Sequence, residues 1–278
     1  MRCSTTWCTH ESIVVTVRAK FFGAAPRELL GSVHAAHGGT VRDTGVVLCY
    51  PAPQEYRMVH WTFCRLAERL AATGYNVLRF DYFATGDSAG NSVDGSIAQW
   101  EADTLAAAAY LRDETGVRRL SVVGMRLGAT LAWRAVERGL VVQDMVMWDP
   151  VIGGAAYLRE LERADARLLG EQPYPVPGTL PNAELLGYPL VPAMRADVNA
   201  INLLAGTCAR PRRLLVLASM SHPEHHAFVE HAREQGIVAT YQRVDDPPMY
   251  DERADPVETL VAHAATDAVL TFLAGRSA

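Results

Sequence analysis

Residues 120–130 run Leu120-Ser121-Val122-Val123-Gly124-Met125-Arg126-Leu127-Gly128-Ala129-Thr130. A short apolar run, a Gly-x-x-x-Gly turn and an apolar helix start predict a buried strand passing sharply into a helix. Two glycines permit a bend tight enough to lift the middle side chain above a sheet at a helix N-terminus, which is the frame of a nucleophile elbow. The middle residue is Arg126. A guanidinium is protonated at every accessible pH and cannot attack a carbonyl, so serine chemistry is unavailable at this position.

Outward from this bend, strand and helix patterns alternate. Ile13 to Val17 and Leu30 to Ala35 predict two early strands, joined through a Gly/Pro-containing turn region. Further strands are expected at Val46–Tyr50, Asn76–Phe80, Leu120–Val123, Val142–Trp148, Arg213–Leu217 and Ile237–Val244. Helices are expected at Arg57–Thr73, Ile97–Glu114, Arg126–Arg138, Glu224–Gln235 and Pro256–Leu273. Alternation of this kind predicts an α/β architecture, a mostly parallel sheet covered on both faces. The rhythm breaks at residues 152–207, where Pro173, Pro175, Pro177, Pro181, Pro189 and Pro192 punctuate short helical pieces. That stretch is too long for an ordinary connection. It is expected to be an inserted cap, with residues 1–151 and 208–278 forming the core.

Composition narrows the class further. The 278 residues are 49% hydrophobic and 21% charged, average values for a globular chain, so disorder, collagen and coiled coil are excluded. Lys and Arg number 26 against 31 Asp and Glu, a net charge of −5 without blocks of one sign, which argues against a nucleic-acid partner. Five cysteines, at 3, 8, 49, 64 and 208, form no CxxC pair, so a reducing cytoplasm is the expected home. Met1 to His10 lacks the apolar run of a secretory signal, and no stretch approaches the roughly 18 apolar residues of a membrane span. No Gly-x-Gly-x-x-Gly follows a strand and no phosphate-binding loop is present, so neither a nucleotide cofactor nor any other cofactor is expected.

Taken together with its flanks, the elbow resembles that of the α/β-hydrolase superfamily, in its serine-aminopeptidase and monoacylglycerol-lipase-like branch. Arg79-Phe80-Asp81-Tyr82-Phe83-Ala84-Thr85-Gly86-Asp87-Ser88 looks like that branch's D-x-x-G-x-G-x-S segment, with Ala84 at a usual glycine. A closer likeness is to the exosortase A system-associated hydrolases, whose second type also tends to carry arginine in the elbow and a Pro-Pro-aromatic segment. Here those features are Gly124-Met125-Arg126-Leu127-Gly128 and Pro247-Pro248-Met249-Tyr250, with Trp148-Asp149-Pro150-Val151 ending the sixth strand. The resemblance implies an α/β-hydrolase fold and a place in a biosynthetic or export system.

The remaining triad slots also depart from the pattern. A triad needs an acid after a late strand and a histidine before the final helix. Residues 245–255 contain no histidine, and Ala218 to Glu224 contain no aspartate. His263, placed inside the predicted closing helix, is a poor substitute. A degenerate triad follows, and fold alone does not restore the activity.

Two roles remain open for Arg126. At a helix N-terminus it can form a cationic site for a carboxylate, phosphate or enolate oxygen, beside the loop Tyr50-Pro51-Ala52-Pro53-Gln54-Glu55-Tyr56. Alternatively it pairs with Glu55, Asp81 or Asp149 and locks loops together. The catalytic candidates are Arg126 for stabilising negative charge, with Glu55, Asp149 or Tyr250 for moving a proton. The ligand-binding candidates are Pro51, Ala52, Met125, Leu127, Trp148 and Met249. Trp148, Tyr157, Tyr174, Tyr188, Met194 and Tyr250 are expected to line an apolar cleft under the cap.

Smaller signals read as structure. His222 and His226 are spaced i, i+4, but no further ligand stands at zinc-site spacing, so no metal is expected. His60 and Cys64 share that spacing on a helix that packs against the sheet. Cys49 is a small buried thiol in this reading, and Asp81, Asp87 and Ser88 fix a turn. Three functions follow: a binder of a small acyl or anionic metabolite, as a monomer or a homodimer, with a step that needs no serine; a non-catalytic accessory protein; or an esterase or thioesterase using Ser88, Ser219 or Cys49.

Overall fold

The computed structural model describes residues 17–51, 53–170, 184–206, 211–248 and 262–275. Its strands include β1 (Val17–Phe22), β2 (Leu29–His34), β3 (Thr44–Cys49), β4 (Asn76–Phe80), β5 (Arg119–Met125) and β6 (Asp144–Trp148). After a two-stranded hairpin, β7 (Glu184–Leu185) and β8 (Tyr188–Pro189), come β9 (Arg213–Ala218) and β10 (Val238–Arg243). The main sheet has the order β1-β2-β4-β3-β5-β6-β9-β10. β1 and β2 are antiparallel to their neighbours and the other pairs are parallel.

Three helices follow the first parallel strands: α1 (Pro53–Ala72), α2 (Ile97–Thr115) and α3 (Leu127–Glu137). The helix after β9 is α6 (Pro223–Glu234), and α7 (His263–Leu273) ends the described chain. The crossover through α1 runs from β3 outward to β4, whereas those through α2, α3 and α6 run the opposite way along the sheet. Because parallel crossovers are right-handed, opposite directions put α1 on one face and the others on the opposite face. Trp133 of α3 meets Phe228 of α6 edge-on at 4.8 Å, and Arg69 of α1 pairs with Asp267 of α7 at 2.6 Å. β3, β5, β6 and β9 are covered on both sides, which is why they read as continuous apolar runs without alternation.

Between β6 and β9 lie α4 (Gly154–Gly170), the hairpin and α5 (Pro192–Asn199). α4 is anchored where its first residue, Gly154, passes the carbonyl of Val198: a Cβ there would lie 1.6 Å from that oxygen. The sequence predicts short helices in this stretch but not the hairpin, whose turn places both Leu186 (φ 52°) and Gly187 (φ 77°) in the left-handed region. Residues 171–183, with their four prolines, lie outside the described residues.

Most element bounds shift by one or two residues from the sequence pattern, and the two ends of the chain and α1 need separate comment. The first strand expected at 13–17 falls almost wholly outside the described residues, and β1 occupies 17–22, where five of six residues are exposed and carry no apolar alternation. α1 begins at Pro53, four residues before the expected start, because proline at the first helical position has the right φ and no amide hydrogen to satisfy. The described part of the closing helix opens at His263, an exposed residue, with residues 256–261 outside the description.

The elbow glycines are fixed by close approach. A Cβ on Gly128 would lie 2.0 Å from the Tyr50 carbonyl oxygen at the end of β3, and one on Gly124 would lie 2.6 Å from Ala129 Cα. Both obstacles are backbone, so Gly128→Ala is expected to cost about 3 kcal/mol or more, at the upper end of overpacking penalties. Chemical denaturation that places this variant within about 0.5 kcal/mol of wild type, the range of neutral surface changes, would contradict the close approach.

Candidate functional site

The chain leaves β3 toward α1 on one face and leaves β5 toward α3 on the other, although β3 and β5 are hydrogen-bonded neighbours. Their carboxyl ends therefore diverge and open a crevice, the position at which open α/β sheets bind ligands. Arg126 stands on one lip, at φ 51° and ψ −125°, between Met125 of β5 and Leu127 of α3. This is a sparsely populated backbone conformation for a non-glycine residue. It is held by Arg126 N–H donating to Trp148 O at 2.9 Å, and by Arg126 O accepting from Ala129 N at 3.1 Å.

Glu55, in the first turn of α1, stands on the other lip. Arg126 Nε donates to Glu55 Oε1 at 2.9 Å, and Arg126 Nη2 lies 2.7 Å from Glu160 Oε1 on α4. Tyr157, one turn before Glu160, donates its hydroxyl to Glu55 Oε2 at 3.0 Å, and its ring lies 5.2 Å from the Arg126 guanidinium carbon. Arg126 and Glu55 are 4% and 3% exposed, whereas the Glu160 side chain is 49% exposed. Burial pushes the Glu55 carboxyl above its ordinary value, against the pull of Arg126, and drives the Tyr157 phenol well up.

A cavity of about 570 Å³ lies over this cluster, with Arg163, His222 and His225 in its walls. His225 is buried, with Nε2 3.1 Å from the Pro150 carbonyl, and burial lowers its pKa to about 4. A second, apolar chamber of about 90 Å³ is lined by Trp100, Leu127, Leu158, Leu190 and Met194 among others. Gln54, Tyr157 and Leu161 line both spaces.

The sequence-derived candidates separate into three groups. Arg126 and Glu55 meet, as an ion pair, and Leu127 lines the apolar chamber. Pro51 lines a further space of about 230 Å³ with Tyr50, Tyr56, Asp81 and Tyr188. Met125 and Trp148 are wholly buried and line none of these cavities, because β5 and β6 are covered on both faces; the Trp148 indole donates to Ser219 Oγ at 3.4 Å. Asp149 (φ 41°) is equally buried, accepts the Ser219 amide at 2.8 Å on Oδ1, and has its pKa raised by burial. It ties β6 to β9 and lines none of these cavities. Ala52, Met249 and Tyr250 lie outside the described residues.

Ser88 is hydrogen-bonded within its turn, and Cys49 is buried. Ser88 Oγ accepts the Leu30 amide at 2.8 Å and donates to Asp81 O at 2.7 Å, while Asp81 Oδ2 accepts the Asp87 amide at 3.0 Å. Ala84, at φ 64°, stands in the left-handed region. Cys49 is fully buried, and burial pushes its thiol up to about 12. Cys64 Sγ lies 3.4 Å from His60 Nε2 on α1, and burial also raises that thiol. Among the described residues no group of three His, Cys, Asp or Glu side chains could hold a metal ion, and no helix is long and apolar enough to cross a membrane.

Tyr157 is expected as a cleft residue, but its bond to Glu55 and the role of Glu160 carry no local signal beyond their i, i+3 spacing on an amphipathic helix. His225 escapes notice beside the more conspicuous His222 and His226.

No protein-family model and no curated protein matches the chain. Solved structures do. An esterase from Pyrococcus furiosus is 20% identical over 99% of this chain and 96% of its own, with a TM-score of 0.66. A ferulic acid-bound protein, Est1E, from Butyrivibrio proteoclasticus is 17% identical over 93% and 99%, with a TM-score of 0.65. A serine hydrolase without a lid from Xanthomonas campestris is 16% identical over 92% and 94%, at 0.58. These likenesses establish the fold: the chain adopts the α/β-hydrolase fold, a mostly parallel central sheet flanked by helices.

Two predictions follow from the buried groups. Arg126→Met alone leaves the Glu55 carboxylate buried without its cation and is expected to cost about 3–5 kcal/mol, whereas Arg126→Met with Glu55→Leu recovers most of that loss. Equal destabilisation of the single and double variants in a denaturant series would rule out the pairing as the cause. His225 and His34 both titrate near 4 when folded, lowered by burial from an ordinary 6.5. They therefore contribute stability that is present above about 6.5 and fades as pH falls toward about 4. The buried carboxylates with raised pKa values have the opposite sign but are common to both proteins in a comparison. The gap in melting temperature between wild type and a His34→Gln/His225→Gln variant should shift in the variant's favour between pH 6.5 and 4; a constant gap contradicts it.

Proposed function

We propose that this chain is an α/β-hydrolase-fold protein with a degenerate triad, which binds a small acyl or carboxylate-containing metabolite without forming an acyl-enzyme. The observation that carries this reading is the buried Arg126–Glu55 pair at the strand-to-helix bend, where a hydrolase of this superfamily would present its serine. Further support comes from the hydrogen bonds that occupy Ser88, the burial of Ser219 and Cys49, and the lack of histidine in residues 245–262. Any step that the site catalyses uses charge stabilisation or proton transfer, with Arg126, Glu55 and Tyr157 as the groups at hand.

In this reading residues 152–207 act as the cap, with Tyr157 and Glu160 joining it to the elbow and Leu158 and Met194 helping to form the apolar chamber. The resemblance to exosortase A system-associated hydrolases supports a biosynthetic role, and the sparse cysteines suit a cytoplasmic setting. The esterase and ferulate-bound neighbours are compatible with a ligand that pairs an apolar part with a carboxyl group.

Octanoate at about a hundredfold above its Kd should stabilise the fold by roughly 2.7 kcal/mol, or about 5–10 °C in melting temperature, while acetate at the same concentration should not. A fluorophosphonate or iodoacetamide probe should label no pocket residue, and p-nitrophenyl octanoate should show no burst. Stoichiometric labelling of Ser88, Ser219 or Cys49, checked by mass spectrometry, would establish the covalent alternative instead. Saturable octanoate binding with no turnover of any ester or thioester tried would favour the accessory-protein form of the same reading.

A further inference from the structure

Arg126 addresses two carboxylates with two edges of one guanidinium, and their surroundings are unequal. Glu55 on Nε is buried and also receives the Tyr157 hydroxyl, so its withdrawal would break two buried contacts at once. Glu160 on the Nη2 edge is half exposed, at the wall of the 570 Å³ cavity. It can leave Arg126 and rehydrate. Carboxylates hold both of these guanidinium contacts, so a ligand's carboxylate reaches the Nη2 position only by replacing Glu160.

We infer that Glu160 is a resident stand-in for a ligand's carboxylate: an amphiphilic monocarboxylate displaces it from the Nη2 edge of Arg126 and takes its place. This deepens the proposed function and rests on it. The departing side chain has somewhere to go, since Arg163 lies one turn further along α4 and lines the same cavity. Arg167, at the next turn, lines it too. The ligand's apolar part has a matching space: Tyr157 and Leu161 of the same helix border both the charged cavity and the apolar chamber. A flat guanidinium edge suits a carboxylate through two parallel hydrogen bonds.

Displacement means that the resident carboxylate competes with the incoming one, and a competitor that closes the site for about nine-tenths of the time weakens apparent affinity about tenfold. Calorimetric titration of octanoate should therefore show Glu160→Gln binding about tenfold more tightly than wild type. Glu162→Gln, whose partner is Arg195 on α5, should bind like wild type. Octanamide, which carries no charge to exchange, should bind both proteins alike. A variant with Arg126→Gln and Glu55→Gln, which removes both buried charges together, should lose octanoate binding.

Octanoate affinity that is unchanged or weaker in Glu160→Gln, with wild type binding saturably, overturns the exchange and leaves the proposed function standing. An equal gain for octanamide also overturns it, because the effect would then be space rather than charge. Failure of both wild type and Glu160→Gln to bind octanoate overturns the exchange and the proposed function together.

Discussion

A buried arginine and a buried glutamate hold together the two loops that diverge from neighbouring strands at the centre of the sheet. Each charge is costly to remove from water, and neither would be tolerated there without the other. The pair therefore constrains everything around it: the first turn of α1 must bring Glu55 to the crevice, and the bend after β5 must hold Arg126 at a positive φ. The glycines that flank the bend let β5, α3 and the end of β3 approach closely enough for the two side chains to meet.

The same guanidinium also reaches beyond the sheet. Through Glu160, and through Tyr157 bonded to Glu55, α4 is tied to the elbow by two polar contacts that share one centre. The first of these contacts depends on the guanidinium, the second on Glu55. Arg126 at this bend is thus a fixed point between the central sheet and the helices that follow β6. The two cavities meet along Tyr157 and Leu161 of α4, the helix that this contact holds.

How much of this was legible in the residues depends on the range of the interaction involved. Buried parallel strands announce themselves as short apolar runs, and β4, read at Asn76–Phe80, is found at those residues. The start of α1 is misplaced because Pro51 and Pro53 look like loop punctuation, although one of them begins the helix. The hairpin at Glu184–Pro189 has strands of two residues, too short for any periodicity to develop. Met125 and Trp148 look like pocket residues because they adjoin Arg126 and Asp149 in sequence. In a sheet covered on both faces that adjacency leads into the core, and both side chains are fully buried.

By itself the sequence determined the α/β alternation, the Gly-x-x-x-Gly bend and the cation at its centre, since these depend on apolar periodicity, glycine and residue identity over a few neighbouring positions. It also offered Glu55, Asp81 and Asp149 as partners for Arg126, a set that omits Glu160. Only the tertiary structure decided that Glu55 is the buried partner, that Glu160 is the exposed one and that Asp149 ties two strands instead. Those choices join residues 71 positions apart in one case and set the two carboxylates in different dielectric surroundings. Local pattern does not encode that difference, because burial is a property of the assembled chain.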